Sequence, residues 1–196
     1  MGAFGIKKTL INRGVAIWQK LWETAQSGFV LDATNLVADS VIPAGSVIGY
    51  DELTRKAVVL KAATLQANVT NTATDYPVLK GHLFKVGDFL AAAKGSKAYA
   101  ITAINTSNAA FDTLTIGTTL GSALSTGAAL FQSGTTGASN SSFITQPKGL
   151  LYTDVTVVPN ADLAVILRGT VYARRIPAVS DEIKAALPLI IFSQSY

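Results

Sequence analysis

Two hydrophobic periods divide the chain. Residues 9–26, TLINRGVAIWQKLWETAQ, place Ile11, Val15, Trp18 and Trp22 at i, i+4, i+7 and i+11, with Leu10, Ile17, Leu21 and Ala25 beside them. Asn12, Arg13, Gln19, Lys20 and Glu23 fall on the opposite side. That spacing predicts an amphipathic helix, and Gly28 stands where a left-handed C-terminal cap is expected. A stripe with two Trp residues can pack on the chain's own core, or dock on a sister copy or a larger host. Docking on a membrane surface is disfavoured because the polar side is not strongly basic.

From residue 41 the signal changes from helical to β. Residues 46–50 and 57–60 are rich in Val and Ile and flank the turn-like Asp51-Glu52-Leu53-Thr54, which predicts a hairpin. Further β-like runs follow at 76–80, 83–86, 88–92, 98–104 and 111–116, broken by Gly, Asn and Ser. The strongest strand pattern is 161–177, ADLAVILRGTVYARRIP. It puts Val165, Leu167, Val171 and Ala173 on one face and Arg168, Thr170, Tyr172 and Arg174 on the other. Ser180 is placed to cap a short helix with Asp181 and Glu182 in its first turn and Pro188 past its end. The final LIIFSQSY is strand-like and in need of a partner. The expected fold is therefore mainly β: a compact antiparallel β-sandwich or barrel with an N-terminal amphipathic helix and a short helix near the C-terminus. Residues 1–28 read as a helical anchor or oligomerisation segment. Residues 29–196 read as a β-rich body, in which the Gly/Ser/Thr-rich stretch 117–142 is a long exposed loop or a β-excursion suited to close contact between chains.

Composition narrows the function classes. Of 196 residues, 49% are hydrophobic and 14% charged, enough apolar surface to offset the entropy of ordering. A surface this short of charge suits copies packing on each other or on a large partner, and equally a Thr/Ser/Asn-covered β protein. The net charge of +4 is spread over isolated pairs, Lys7-Lys8, Arg55-Lys56 and Arg174-Arg175, so no phosphate-binding cluster forms and no specific nucleic acid is expected. With no cysteine, disulfides, thiolate metal sites and thiol nucleophiles are excluded. No apolar run nears the roughly 20 residues a bilayer requires. The opening residues form neither a secretion signal nor a myristoylation site, so synthesis in the cytoplasm is expected.

Candidate chemistry is sparse. His82 is the lone histidine, with Asp88 or Asp75 as conceivable orienters, yet no G-x-S-x-G elbow accompanies it. The acidic residues are scattered, and GTTLGSAL at 117–124 lacks the Lys-Ser/Thr of a phosphate loop. No catalytic, cofactor-binding or metal-ligating residue is assigned, and the chain reads as a non-enzyme.

Pro43-Ala-Gly-Ser-Val-Ile-Gly-Tyr-Asp followed by Thr54-Arg-Lys-Ala-Val resembles the P-A-G-x-x-x-G-x-D…T-x-K segment that opens the β-domain of tailed-phage head decoration and head fiber proteins. The blocks DYPVLKGH (75–82), FKVGD (84–88), DTLTI (112–116) and RGTVYARRIP (168–177) match in the same order, so the resemblance covers about 38–196. It implies a structural virion protein on the outer capsid surface, present in the host cytoplasm during assembly. Its partner would be the major capsid protein shell, and its own state a homo-oligomer, with a trimer favoured. On that resemblance Ile11, Val15, Trp18 and Trp22 form the capsid anchor, while Arg168, Tyr172 and Arg174, or the 117–142 segment, make contacts between copies. The competing reading is a secreted or surface-displayed carbohydrate-binding β module using Tyr50, Tyr76, Tyr99 and Tyr172 as stacking platforms.

Overall fold

A computed structural model of the chain describes residues 16–25 and 28–195. In chain order the strands are β1 (Trp18–Thr24), β2 (Phe29–Leu31), β3 (Val41–Ile42), β4 (Val47–Tyr50), β5 (Lys56–Leu60), β6 (Ala62–Thr64), β7 (Asp75–Leu79) and β8 (Phe89–Ala91). They continue as β9 (Ala98–Asn105), β10 (Phe111–Ile116), β11 (Ala129–Ser133), β12 (Gly149–Leu151), β13 (Val155–Thr156), β14 (Asp162–Leu163) and β15 (Val165–Tyr172). The helix α1 (Asp181–Ala186) and strand β16 (Ile190–Ser193) close the series.

One sheet runs β1-β15-β12-β4-β5-β2-β14, with β16 also paired to β15; a second runs β6-β11-β8-β9-β10-β7; β13 and β3 form a separate pair. The sheets curl into a half-barrel. In the six-stranded sheet the curl brings the two ends together, where Leu65 bridges Val78 and the Gln66 N–H donates to Pro77 O at 2.8 Å. Tyr76, Leu90, Ile101, Leu114 and Leu130 fill its interior. Phe29, Ile42, Ile48 and Leu163 pack under the larger sheet, and a third cluster joins Val47, Leu60, Ile166 and Val171 to Ile183 of α1. The chain passes between sheets at a single residue, Lys61, with β5 ending at Leu60 and β6 starting at Ala62.

The 46–60 segment is the expected hairpin, in register from Val47↔Leu60 to Tyr50↔Ala57. Its turn is held by Asp51 Oδ1, which accepts from the Leu53 N–H at 2.8 Å. Its root uses Gly45 at φ +83°, where a Cβ would lie 2.3 Å from Ile176 Cγ2, so only glycine fits there. The short C-terminal helix also forms, with Ser180 Oγ accepting from the Ile183 N–H at 3.3 Å.

Several expectations are corrected. The helix placed over 9–26 is instead a strand where it is described, β1; residues 9–15, including Ile11 and Val15, lie outside the described residues. The reason is β15, whose free edge needs a partner. β1 supplies it along Trp18↔Val171, Lys20↔Thr170, Leu21↔Gly169 and Glu23↔Arg168, and Tyr172 N–H→Ile17 O and Ala25 N–H→Val165 O extend the ladder, each at 2.8 Å. Pairing is not purely antiparallel either, since β15/β16 and β2/β5 run parallel. Of the two readings of 117–142, the β-excursion holds at residues 129–133, where β11 lies between β6 and β8 with Leu130, Phe131, Gln132 and Ser133 buried, while most of the flanking residues are exposed. The 161–177 run breaks at Ala164 and ends at Tyr172, and the 3₁₀ turn Ala173–Arg175 carries Arg174 off the strand. No strand forms at 83–86.

Candidate functional site

The residues singled out on β1 and β15 separate into two environments. Trp18 turns inward against the cluster containing Val171 and Ile190, and its Nε1–H donates to Tyr152 O at 2.9 Å. Trp22 is 46% exposed, with Arg168 5.7 Å and Lys20 5.3 Å from its ring centre. The helical wheel put both indoles on one stripe. Register shifts between Trp18 and Lys20, and between Leu21 and Glu23, let the strand turn one indole into the core and leave the other at the surface.

Arg168 and Tyr172 share β15, but Arg174 does not join them. Tyr172 is half-buried beneath the guanidinium of Arg175, 4.4 Å from its ring centre, and that group also donates to Ala16 O at 2.8 Å. The exposed surface of β1, β15 and β16 therefore combines Trp22 and Arg168 with Ile191, which is also exposed. Aromatic, Arg and aliphatic groups of this kind are the types that anchor protein interfaces.

His82 follows Gly81 in the turn after β7. Its Nδ1 accepts from the Phe84 N–H at 3.2 Å, which places the proton of the neutral ring on Nε2. Nε2 lies 3.2 Å from Asp112 Oδ2, but out of line for a hydrogen bond. Asp112 Oδ1 accepts from Lys80 Nζ at 2.6 Å. Burial holds the imidazole below its ordinary pKa, and the nearby Asp112 carboxylate opposes this only in part. Neither orienter weighed from the sequence serves His82: Asp75 accepts from Thr115 Oγ1 and Asp88 belongs to another pair.

That second pair is sealed inside. Lys61 Nζ donates to Asp88 Oδ2 at 2.6 Å, and the two side chains are 0% and 4% exposed. The Lys85 N–H donates to the same oxygen at 2.9 Å, and Gln132 Nε2 donates to Oδ1 at 3.1 Å, leaving Gln132 Oε1 without a partner. Burial lowers the Lys61 pKa against the raising influence of Asp88. This cluster ties the crossover between sheets to β8 and β11, and its chemistry is that of an internal brace.

A cleft of about 350 Å³ opens between β6, the turn after β7 and residues 174–178, with Lys80, His82, Arg174 and Arg175 on its walls. Lys61, Lys80, Asp112 and Gln132 were not singled out from the sequence. The signal available was Lys61 itself, one charge inside the apolar run AVVLKAA. Among the tyrosines considered as platforms, Tyr76 is fully buried, its hydroxyl donating to Ala73 O at 2.9 Å and accepting from the Leu120 N–H at 3.0 Å. Among the described residues no three His, Cys, Asp or Glu side chains converge as a metal site would need, and no helix is long and apolar enough to cross a membrane.

Comparison with protein-family models, with curated proteins and with solved structures finds no match.

Proposed function

We propose that the protein is a non-enzymatic component of a tailed-phage virion, attached to the outer capsid surface as a head decoration or short head fiber protein. In this reading it binds the major capsid protein shell as a homo-oligomer, a trimer being favoured. The observation that carries it is the exposed pairing of Trp22 with Arg168 at the edge of the larger sheet, on a chain only 14% charged. A half-exposed indole under two cations has the character of an interface anchor. The ordered P-A-G, G-x-D and R-G-T-V-Y blocks supply the phage context. The hairpin they include is rigid for stated reasons: Gly45 is required against Ile176, a Cβ on Gly49 would fall 2.0 Å from Thr145 Oγ1, and Asp154 Oδ1 accepts from the Ala44 N–H at 2.7 Å. Equivalent shell sites multiply modest contacts, because a trimer engaging three of them gains effective concentration.

Within the anchor, Trp22 is assigned to the capsid and Trp18 to the fold. The test is co-sedimentation of the purified chain with heads assembled from its companion major capsid protein. Wild type should sediment with the heads, and Trp22→Ala should weaken attachment by roughly thirtyfold, a hot-spot loss, with its melting profile intact. No co-sedimentation of wild type at saturating concentration refutes decoration; undiminished binding by Trp22→Ala removes this face from it.

A further inference from the structure

Lysine–aspartate contacts recur among the described residues, but one of them is shut away from water. In Lys80–Asp112 and Lys184–Asp181 the lysine side chain stays partly exposed, so water competes for both charges. Lys61–Asp88, at 2.6 Å, has both side chains sealed inside. Backbone bonds hold the two ends of this pair in place. Lys61 O accepts from the Gln132 N–H at 2.9 Å, which fixes the lysine against β11. The Asp88 N–H donates to Lys85 O at 3.1 Å and Asp88 O accepts from the Ile101 N–H at 2.9 Å, which fixes the aspartate between its own turn and β9. Two groups locked at contact distance have an effective concentration that no freely diffusing pair reaches.

The two carboxyl oxygens of Asp88 are served differently. Oδ2 accepts from Lys61 Nζ and from the Lys85 N–H, whereas Oδ1 accepts from Gln132 Nε2 at 3.1 Å. Oδ2 thus lies against the ammonium protons, and Oδ1 has a fixed donor where negative charge would develop on a carbonyl oxygen. Burial favours the uncharged form of Lys61, and a desolvated lysine amine is a nucleophile. Gln132 Oε1, on the same amide, has no partner of its own.

We propose that Lys61 and Asp88 condense into an amide bond once the chain has folded, so that the crossover between sheets becomes covalently tied to the turn before β8. A proton passes from the Lys61 ammonium to Asp88 Oδ2, leaving an amine beside a neutral carboxylic acid. Rotation about the Asp88 Cβ–Cγ bond presents the face of the carboxyl group to the amine. The Nζ lone pair then forms a bond to Cγ while the C=O π electrons move onto Oδ1, where the Gln132 Nε2–H holds the negative charge. As the carbonyl re-forms, the Cγ–Oδ2 bond breaks and Oδ2 leaves as water, carrying two of the ammonium hydrogens; the third stays on the amide nitrogen. An ammonium and a carboxylate become one neutral amide and one water, with no oxidant, metal or other reactant. Gln132 Oε1 is an acceptor for the departing water, and the closed site holds back the reverse hydrolysis. The bond spans 27 residues of sequence. It is independent of capsid attachment and of self-association, and an unlinked preparation shows the strength of the ion pair alone.

The experiment is intact-mass spectrometry of the purified full chain, sampled over time after folding, followed by tryptic digestion. Wild type should come to weigh one water less than its sequence. Trypsin does not cut after an acylated lysine, so residues 57–80 should run through Lys61 and appear as a branched peptide joined to residues 86–94 at Asp88. Lys61→Met should keep its full sequence mass, and Gln132→Leu, which removes the donor to Oδ1, should link roughly a hundredfold more slowly. A wild-type chain that keeps its full sequence mass and releases free 57–61 and 86–94 peptides overturns the inference, and that result needs no variant to fold. Loss of water that maps to another pair of residues, or linkage at the wild-type rate in Gln132→Leu, overturns it as well.

Discussion

Replacing Lys61 by Met tests whether the buried ion pair braces the junction between the two sheets. Met keeps most of the apolar stem and deletes the ammonium, so Asp88 stays at 4% exposure with only the Lys85 N–H and Gln132 Nε2 as donors. Removing one partner of a buried pair costs about 3–5 kcal/mol, and losing one hydrogen bond to a charged group costs about 1.5–3 kcal/mol. Two surviving donors on Asp88 favour the region where the ranges meet, about 3 kcal/mol. With a urea m-value of about 2 kcal/mol per molar, the unfolding midpoint should fall by about 1.5 M. In a chain of this size the melting temperature should drop by about 6–12 °C. A double-mutant cycle with Asp88→Asn should return a coupling of about 1–3 kcal/mol. A loss below about 1 kcal/mol, or additivity of the two substitutions, would refute the brace. It would mean that desolvation of the two charges consumes their attraction.

Two further outcomes follow from the interior polar groups. Burial lowers the His82 pKa, so over the interval from 6.5 down to that lowered value the unfolded chain binds more protons than the folded one, and stability should fall as pH falls through it. His82→Asn, which keeps an acceptor for the Phe84 N–H, should flatten that slope in urea titrations; an unchanged slope assigns the pH dependence elsewhere. Tyr76→Phe leaves Ala73 O and the buried Leu120 N–H without their partner and should cost about 1–3 kcal/mol, read as a urea midpoint shift, whereas a neutral result would mean that water replaces the hydroxyl.

The candidate surface was only partly legible in the sequence, and particular residues show why. Arg168 and Tyr172 were placed on one strand because strand alternation is local, and both lie on β15, but Tyr172 is half-buried beneath Arg175. Trp22 was picked out with Trp18 as one helical stripe, whereas both lie on the strand β1 and only Trp22 is largely exposed. Spacing of four residues fits a helix stripe and equally one face of a strand, and only the vacant edge of β15 decides between them for residues 18–24. Arg174 was assigned to a strand face that ends two residues earlier, at Tyr172. The cleft was invisible, since its walls come from residues near 43, 62, 80 and 175, which no sequence period relates.

What the chain determined by itself is what short-range physics controls. Runs rich in Val and Ile on either side of a turn fixed β4 and β5, Asp51 and Gly45 fixed the ends of their hairpin, and Ser180 with Asp181 and Glu182 fixed the start of α1. Tertiary structure alone decided which edges pair, because backbone groups are identical at every residue and carry no address. Hence β16 joins β15 in parallel, β11 draws a Gly/Ser/Thr-rich stretch into the core, and Lys61 finds Asp88 from 27 residues away. A lysine is held inside a protein by whatever carboxylate the fold delivers to it, and that delivery is a property of the closed sheets.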